Sequence, residues 1–158
     1  MYNDTRVQAA ALAVTTNLAA SYMHDQAVTI IPNLLVTDDD SAFRGVISEA
    51  LTRRGFHVTE ARDGQEAIEK IATSNVHLAI MDVHMPRLTG LEVMHHLTSQ
   101  PAAPPLVLMS AQWDDESRRE AERMRAYKTL SKPIPLARLR DVVCGALAEI
   151  YGWRPKAS

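Results

Sequence analysis

From Leu34 onward, short apolar runs alternate with amphipathic segments, and this alternation constrains the fold of the 158-residue chain more than any other feature. Leu34-Leu-Val36, Leu78-Ala-Ile-Met81 and Leu106-Val-Leu-Met109 are apolar throughout, the pattern of parallel strands covered on both faces. Phe56-His-Val-Thr-Glu60 alternates apolar with polar, and Tyr127-Lys-Thr-Leu-Ser131 is more polar still, so these two belong at sheet edges. Segments with helical spacing lie between them, at about Ser41 to Arg54, Gly64 to Thr73, Gly90 to Ser99, Asp114 to Arg125 and Pro135 to Tyr151. The punctuation agrees. Arg54-Gly55 ends the first helix, Asp63-Gly64 turns into the second, Asp114-Asp-Glu116 places acids at the start of the fourth, and Pro135 suits the first turn of the last.

Five βα units with right-handed crossovers make an α/β fold, an open, doubly wound parallel sheet with helices on both faces. With the two polar strands at the edges the order is 2-1-3-4-5, the flavodoxin-like order, whose ligand site lies beyond the carboxyl ends of strands 1 and 3. Asp38 and Asp39 follow the first of these strands and Asp82 ends the other. Ser110 closes the fourth strand and Lys132 follows the fifth, so one acid cluster, one hydroxyl and one ammonium converge on one sheet edge. Taken singly each residue has an ordinary explanation, as a helix cap, a loop acid or a solvated charge. Jointly, three close carboxylates require a cation, and the preference of Mg²⁺ for oxygen ligands and retained waters suits them.

Bulk properties bound the alternatives. The length suits one domain with a small appendage, because single cores take about 100 to 200 residues. A net charge of −2 gives no reason to expect a nucleic-acid partner. The single cysteine, Cys144, lies among apolar residues, which excludes an internal disulfide framework and favours a reducing compartment. Thr15, Thr16 and Asn17 interrupt the apolar stretch Ala9 to Val14, which argues against a secretory leader, and no run reaches the roughly 18–20 apolar residues of a membrane span. The expectation is a cytoplasmic protein with no membrane partner. Residues 1 to about 30 stand apart as an extension, followed by a main domain over 31–151 and a tail over 152–158. Within the extension Val7, Ala11, Val14, Leu18 and Tyr22 place an apolar stripe on a helix beginning near Asp4. The sequence leaves open whether that stripe packs on its own domain, forms a homodimer contact or is disordered.

The motifs identify a family. Over about residues 33 to 150 the chain resembles the receiver domain of two-component response regulators. Leu34-Leu-Val-Thr-Asp38-Asp39-Asp40 is similar to the first strand with its acidic pair, and Ile80-Met-Asp82-Val-His-Met-Pro86 to the phosphoacceptor strand and loop. Thr89-Gly90-Leu91, Leu108-Met-Ser110-Ala111 and Ser131-Lys132-Pro133 match the following turn, the hydroxyl strand and the Lys-Pro signature. The resemblance implies that Asp82 accepts a phosphoryl group from a sensor histidine kinase, assisted by Lys132 and Ser110, with a cis Lys132-Pro133 bond. It implies Mg²⁺ held by Asp39, Asp82 and the carbonyl of His84, with Asp38 acting through water. It also implies that His84 and Gln112, two residues after the phosphoacceptor and the hydroxyl residue, tune hydrolysis of the acyl phosphate.

One position departs from the family. Thr129 stands three residues before the lysine, where receivers usually carry Tyr or Phe, so the aromatic relay is in doubt and Tyr127, two residues earlier, is a candidate substitute. Arg118, Arg119, Arg123 and Arg125 make the fourth helix a solvated face or a docking face for an acidic partner or a second copy. Trp113 reads as a loop anchor or a reporter of the site, and Trp153 as a self-association residue or a bystander. Because few residues follow Tyr151, the expectation is a stand-alone receiver that signals by protein contacts or by relay to a histidine phosphotransfer protein. Two other readings compete with it. One is a docking module indifferent to phosphate. The other is a haloacid-dehalogenase-type phosphatase using Asp38 as nucleophile, which fits poorly because only Asp141 and Glu149 follow Lys132 as acids.

Overall fold

A computed structural model describes residues 30–156. The expected N-terminal helix near Asp4 to Tyr22 therefore lies outside the described residues. The strands are β1 (Asn33–Thr37), β2 (His57–Ala61), β3 (Leu78–Asp82), β4 (Leu106–Ser110) and β5 (Lys128–Ser131), and the helices are α1 (Ser41–Thr52), α2 (Gly64–Thr73), α3 (Gly90–Leu97), α4 (Asp115–Arg123) and α5 (Leu136–Tyr151). All strand pairs are parallel, in the order β2-β1-β3-β4-β5. The flavodoxin-like α/β fold expected from the sequence is the fold observed.

Side-chain alternation divides the core into two layers. Leu34, Val36, Leu78, Ile80, Val107 and Met109 project to one face, where they pack with Ile47 and Leu51 of α1 and Leu139, Val143, Ala146 and Leu147 of α5. Leu35, Ala79, Met81, Leu106 and Leu108 project to the other, against Ala67 of α2, Val93, Met94 and Leu97 of α3 and Ala121 of α4. β3 and β4 are buried at every position, whereas β2 and β5 carry exposed or half-buried residues, as edge strands must. Trp153 belongs to this core: its ring lies 5.2 Å from that of Phe56, and its amide donates to the carbonyl of Leu147. Cys144 also packs against the α1/α5 layer, and burial pushes its thiol up.

Caps place the helix starts at the site end of the sheet. Asp40 accepts from the amides of Ala42 and Phe43, Asp63 from Glu66 and Asp114 from Ser117. Thr89 and Glu92 complete a reciprocal capping box at α3. Several helix ends differ from the sequence reading by one or two residues, α1 stopping at Thr52 and α3 at Leu97, and two of the differences have identifiable reasons. α4 stops at Arg123 rather than Arg125, because Arg125 turns left-handed at φ 62°. Pro135 caps α5 from an extended conformation, with ψ 132°, rather than forming its first turn.

Candidate functional site

The carboxyl ends of β1 and β3 bring three acids together, with one ligand oxygen from each of Asp38, Asp39 and Asp82 within 4.8 Å of the others. Asp38 is 1% exposed and Asp82 6%, whereas Asp39 faces solvent. Asp38 is tightly held. Its Oδ1 accepts the Asp40 amide at 2.9 Å and its Oδ2 accepts the Lys132 ammonium at 2.7 Å. Its backbone carbonyl accepts Arg44 Nη1 at 2.7 Å. Lys132 Nζ also lies 3.5 Å from Asp82 Oδ1, so one ammonium bridges two of the three acids. The Lys132-Pro133 peptide is cis.

Burial pushes the Asp82 carboxyl above its ordinary value; the Lys132 charge opposes this and the Asp38 charge adds to it. An acid in such surroundings has a strong electrostatic incentive to gain a counter-cation or lose its charge. The donor set itself suits Mg²⁺: hard oxygens only, with exposed Asp39 leaving room for retained waters.

Of the remaining expected site residues, His84 and Gln112 frame the mouth. Ser110 is fully buried, and its hydroxyl donates to the Gln112 carbonyl at 2.9 Å while accepting the Gln112 amide at 3.0 Å. Ser110 is thus turned toward its own loop rather than toward Asp82. His84 and Gln112 are both exposed, and His84 Nε2 reaches the Gln112 carbonyl at 3.3 Å, bringing the β3–α3 and β4–α4 loops together. Thr129 is half-buried within β5. Tyr127 pairs through its amide with Leu106, at the opposite end of β4 from Ser110, and its hydroxyl donates to Glu149 on α5 at 2.8 Å. Burial and the Glu149 carboxylate push the Tyr127 phenol up. Its place and bonding belong to the α5 flank rather than to the site.

Trp113 anchors the β4–α4 loop. Its indole N–H donates to the Leu130 carbonyl at 2.9 Å, and Arg118 lies over its ring at 5.2 Å. Arg119 and Arg123 do not form a single-sign patch, since they share their surface groove with Glu116 and Glu122.

Two residues close to the site went unread in the sequence. Phe43 and Arg44 scan as the apolar and charged faces of α1, but the first helical turn after an acidic pair points back at that pair. Arg44 binds Asp38 and also donates from Nε to Glu60 Oε2 at 2.8 Å, tying the acid loop to β2. The Arg44 hydrogen bond holds the Glu60 carboxyl below its ordinary value. A lowered carboxyl stabilises the fold above the unfolded-state value, and that contribution is lost as pH falls through the folded value. Wild type should therefore be more stable than Glu60→Gln near neutrality, with the gap closing below the ordinary 4.5. Urea unfolding of both proteins across acid pH measures this directly.

Comparison with known proteins gives a consistent result. Residues 34–144 match the family model described as response regulator receiver domain. Response regulator RR06 of Streptococcus pneumoniae is 36% identical over 119 residues, covering 75% of this chain and 54% of that protein. Regulatory protein AtoC of Escherichia coli is 30% identical over 120 residues, covering 76% of this chain and 26% of that protein. The chain thus spans about half of the first relative and about a quarter of the second. Because these relatives extend well beyond the matched region, they do not support the expectation that nucleic acid is excluded as a partner.

Among solved structures, the receiver domain of the Francisella response regulator 1452 is 29% identical with a TM-score of 0.70, covering 75% of this chain and 98% of that one. TrrA of Thermotoga maritima, solved in complex with Mg²⁺-BeF, is 27% identical with a TM-score of 0.67, covering 73% of this chain and 99% of that one. Among the described residues no helix is long and apolar enough to cross a membrane. Receiver domains are phosphoacceptor switches rather than enzymes in the usual sense; histidine kinases phosphorylate them and they bind Mg²⁺ at their aspartate cluster. With the fold, the acid cluster and the family match in agreement, this chain belongs to the response regulator receiver family.

Proposed function

We propose that the chain is an Mg²⁺-dependent switch in which Asp82 accepts a phosphoryl group from a phosphohistidine of a sensor kinase. The observation that carries the reading is a buried Asp82 carboxylate flanked by two further acids and by the Lys132 ammonium at 3.5 Å. Asp39, Asp82 and the carbonyl of His84 would hold the ion, with Asp38 contributing through water. Bound there, Mg²⁺ supplies positive charge to the carboxylates and to the phosphoryl oxygens.

The chain's own residues do the rest. A carboxylate oxygen of Asp82 attacks phosphorus in line, the bond from phosphorus to the histidine nitrogen breaks, and its electron pair leaves with the imidazole. Lys132 neutralises charge building on the phosphoryl oxygens. Once the acyl phosphate exists, the Ser110 hydroxyl exchanges its bond to the Gln112 carbonyl for a phosphoryl oxygen, and Lys132 pairs with another. This rearrangement pulls on the β4–α4 loop that Trp113 anchors, and it needs no aromatic at the Thr129 position. Output then passes through protein contacts, including relay to a histidine phosphotransfer protein.

His84 and Gln112, facing each other at the mouth, set the approach of the hydrolytic water. Replacing both with alanine should change the lifetime of the phosphorylated form at least about threefold, roughly 0.7 kcal/mol in the barrier. An unchanged lifetime in a phosphate-release assay would remove them from this role.

The metal part of the reading has its own test. Mg²⁺ should raise the melting temperature of the chain, by linkage worth about 2.7 kcal/mol at a hundredfold excess over Kd. Asp39→Asn should weaken that response. Thermal melts over a Mg²⁺ series check it, and a melting temperature indifferent to Mg²⁺ would contradict it.

A further inference from the structure

The Lys132 ammonium is 2.7 Å from Asp38 Oδ2 and 3.5 Å from Asp82 Oδ1, and a third group meets it: the face of the Phe43 ring, whose centroid is 4.3 Å from Nζ. The lysine side chain is 18% exposed, so these three neighbours replace much of the water an ammonium would otherwise hold. Phe43 reaches this place from the first turn of α1. Its amide is capped by Asp40 Oδ1 at 3.1 Å, and the neighbouring Arg44 is bound to the Asp38 carbonyl and to Glu60. The same turn therefore fixes both the ring and the acid loop. The ring also packs half-buried against the α1/α5 core layer, which limits its own movement.

We propose that Phe43 is a positioning residue of the phosphorylation site, its ring face holding the Lys132 ammonium between Asp38 and Asp82, ready for a phosphoryl group on Asp82. The inference rests on the reading of Asp82 as phosphoacceptor. An ammonium over an aromatic face is drawn to the ring's negative quadrupole, more strongly once desolvated, and the attraction reaches to roughly 6 Å from the centroid. That reach matters for the switch. Nζ can slide from Asp38 toward a phosphoryl oxygen on Asp82 while still over the ring, whereas its 2.7 Å bond to Asp38 does not survive such a shift. The ring thus serves as a surface along which the cation moves without returning to water. An aliphatic side chain of similar size would exclude water equally well but offer the charge nothing in return.

The test uses the full chain with Phe43→Leu, Phe43→Met and Phe43→Tyr, probed with beryllofluoride and Mg²⁺ by calorimetric titration. Loss of the ring should weaken beryllofluoride binding about three- to tenfold, whereas tyrosine should stay within about twofold of wild type. A second readout needs no ligand: the ε-methylene protons of Lys132 should show a ring-current upfield shift in wild type and Phe43→Tyr, lost in the aliphatic variants. Methionine covers the case in which leucine impairs folding, judged by a cooperative melt. Aliphatic variants that bind as tightly as wild type, a tyrosine variant as weak as leucine, or a retained ε-proton shift would each overturn the role of Phe43. A wild-type protein that binds no beryllofluoride would instead overturn the reading of Asp82, and this inference with it.

Discussion

Asp82→Asn is expected to abolish phosphoryl acceptance while raising the stability of the metal-free protein. The two effects share one cause. Asp82 is 6% exposed, its carboxylate lies beside those of Asp38 and Asp39, and burial is the chief cause that pushes its pKa up. A carboxyl whose folded-state value is raised costs stability when ionised, in full above that value, and the cost disappears as pH falls to the ordinary 3.8. Asparagine has the same shape without the charge, and Lys132 retains its 2.7 Å bond to Asp38. The variant should melt a few degrees higher at neutral pH, the scale on which about 1 kcal/mol moves a domain of this size. Its advantage should shrink in acid and reverse when saturating Mg²⁺ stabilises only the wild type. Loss of both function and stability would indicate instead that Asp82 is an ordinary structural acid.

The second large effect is steric. Gly90 opens α3 directly against the end of β3, and a Cβ placed there would lie 2.5 Å from the Asp82 carbonyl oxygen and 3.1 Å from the Val83 Cα. Both are backbone atoms, so no rotamer relieves the clash. The Gly90 amide also donates to the Val83 carbonyl at 2.9 Å, which prevents the helix from simply backing away. Gly90→Ala should therefore cost about 3 kcal/mol or more and displace the peptide that carries the phosphoacceptor. Gly45→Ala is the internal control. That position lies within α1 with nothing within 4 Å of the added Cβ, so alanine there should be neutral or stabilising by up to about 1 kcal/mol. Denaturant unfolding of the two variants, with phosphoryl acceptance measured alongside, separates a general intolerance of alanine from a defect at the site. Equal stabilities would contradict the packing account.

Much of this was legible in the sequence, because burial leaves its mark there. The three apolar runs are central strands since both their faces are covered, and the polar character of His57 to Ala61 and Lys128 to Ser131 marks the edges. Strand order then places Asp38, Asp39 and Asp82 together, and in the structure they meet. What could not be read were contacts fixed by geometry rather than periodicity. Arg125 ends α4 in a left-handed conformation that an arginine does not advertise, and Arg87 does the same in the β3–α3 loop at φ 68°. The Ser110 hydroxyl points to Gln112 because that loop's amide and carbonyl both lie within reach. Phe43 looks like one more apolar residue of an amphipathic helix; only the fold reveals that its ring faces a lysine 89 positions further along the chain.

Locating the phosphoryl group is the sharpest test of Asp82 as the phosphoacceptor. The chain would be incubated with Mg²⁺ and a small phosphodonor such as acetyl phosphate, then examined by intact mass and peptide mapping, with Asp82→Asn in parallel. One phosphoryl group per chain is expected, on Asp82, and none on the variant. A phosphoryl group on Asp38, or wild-type protein that stays unmodified, would contradict it.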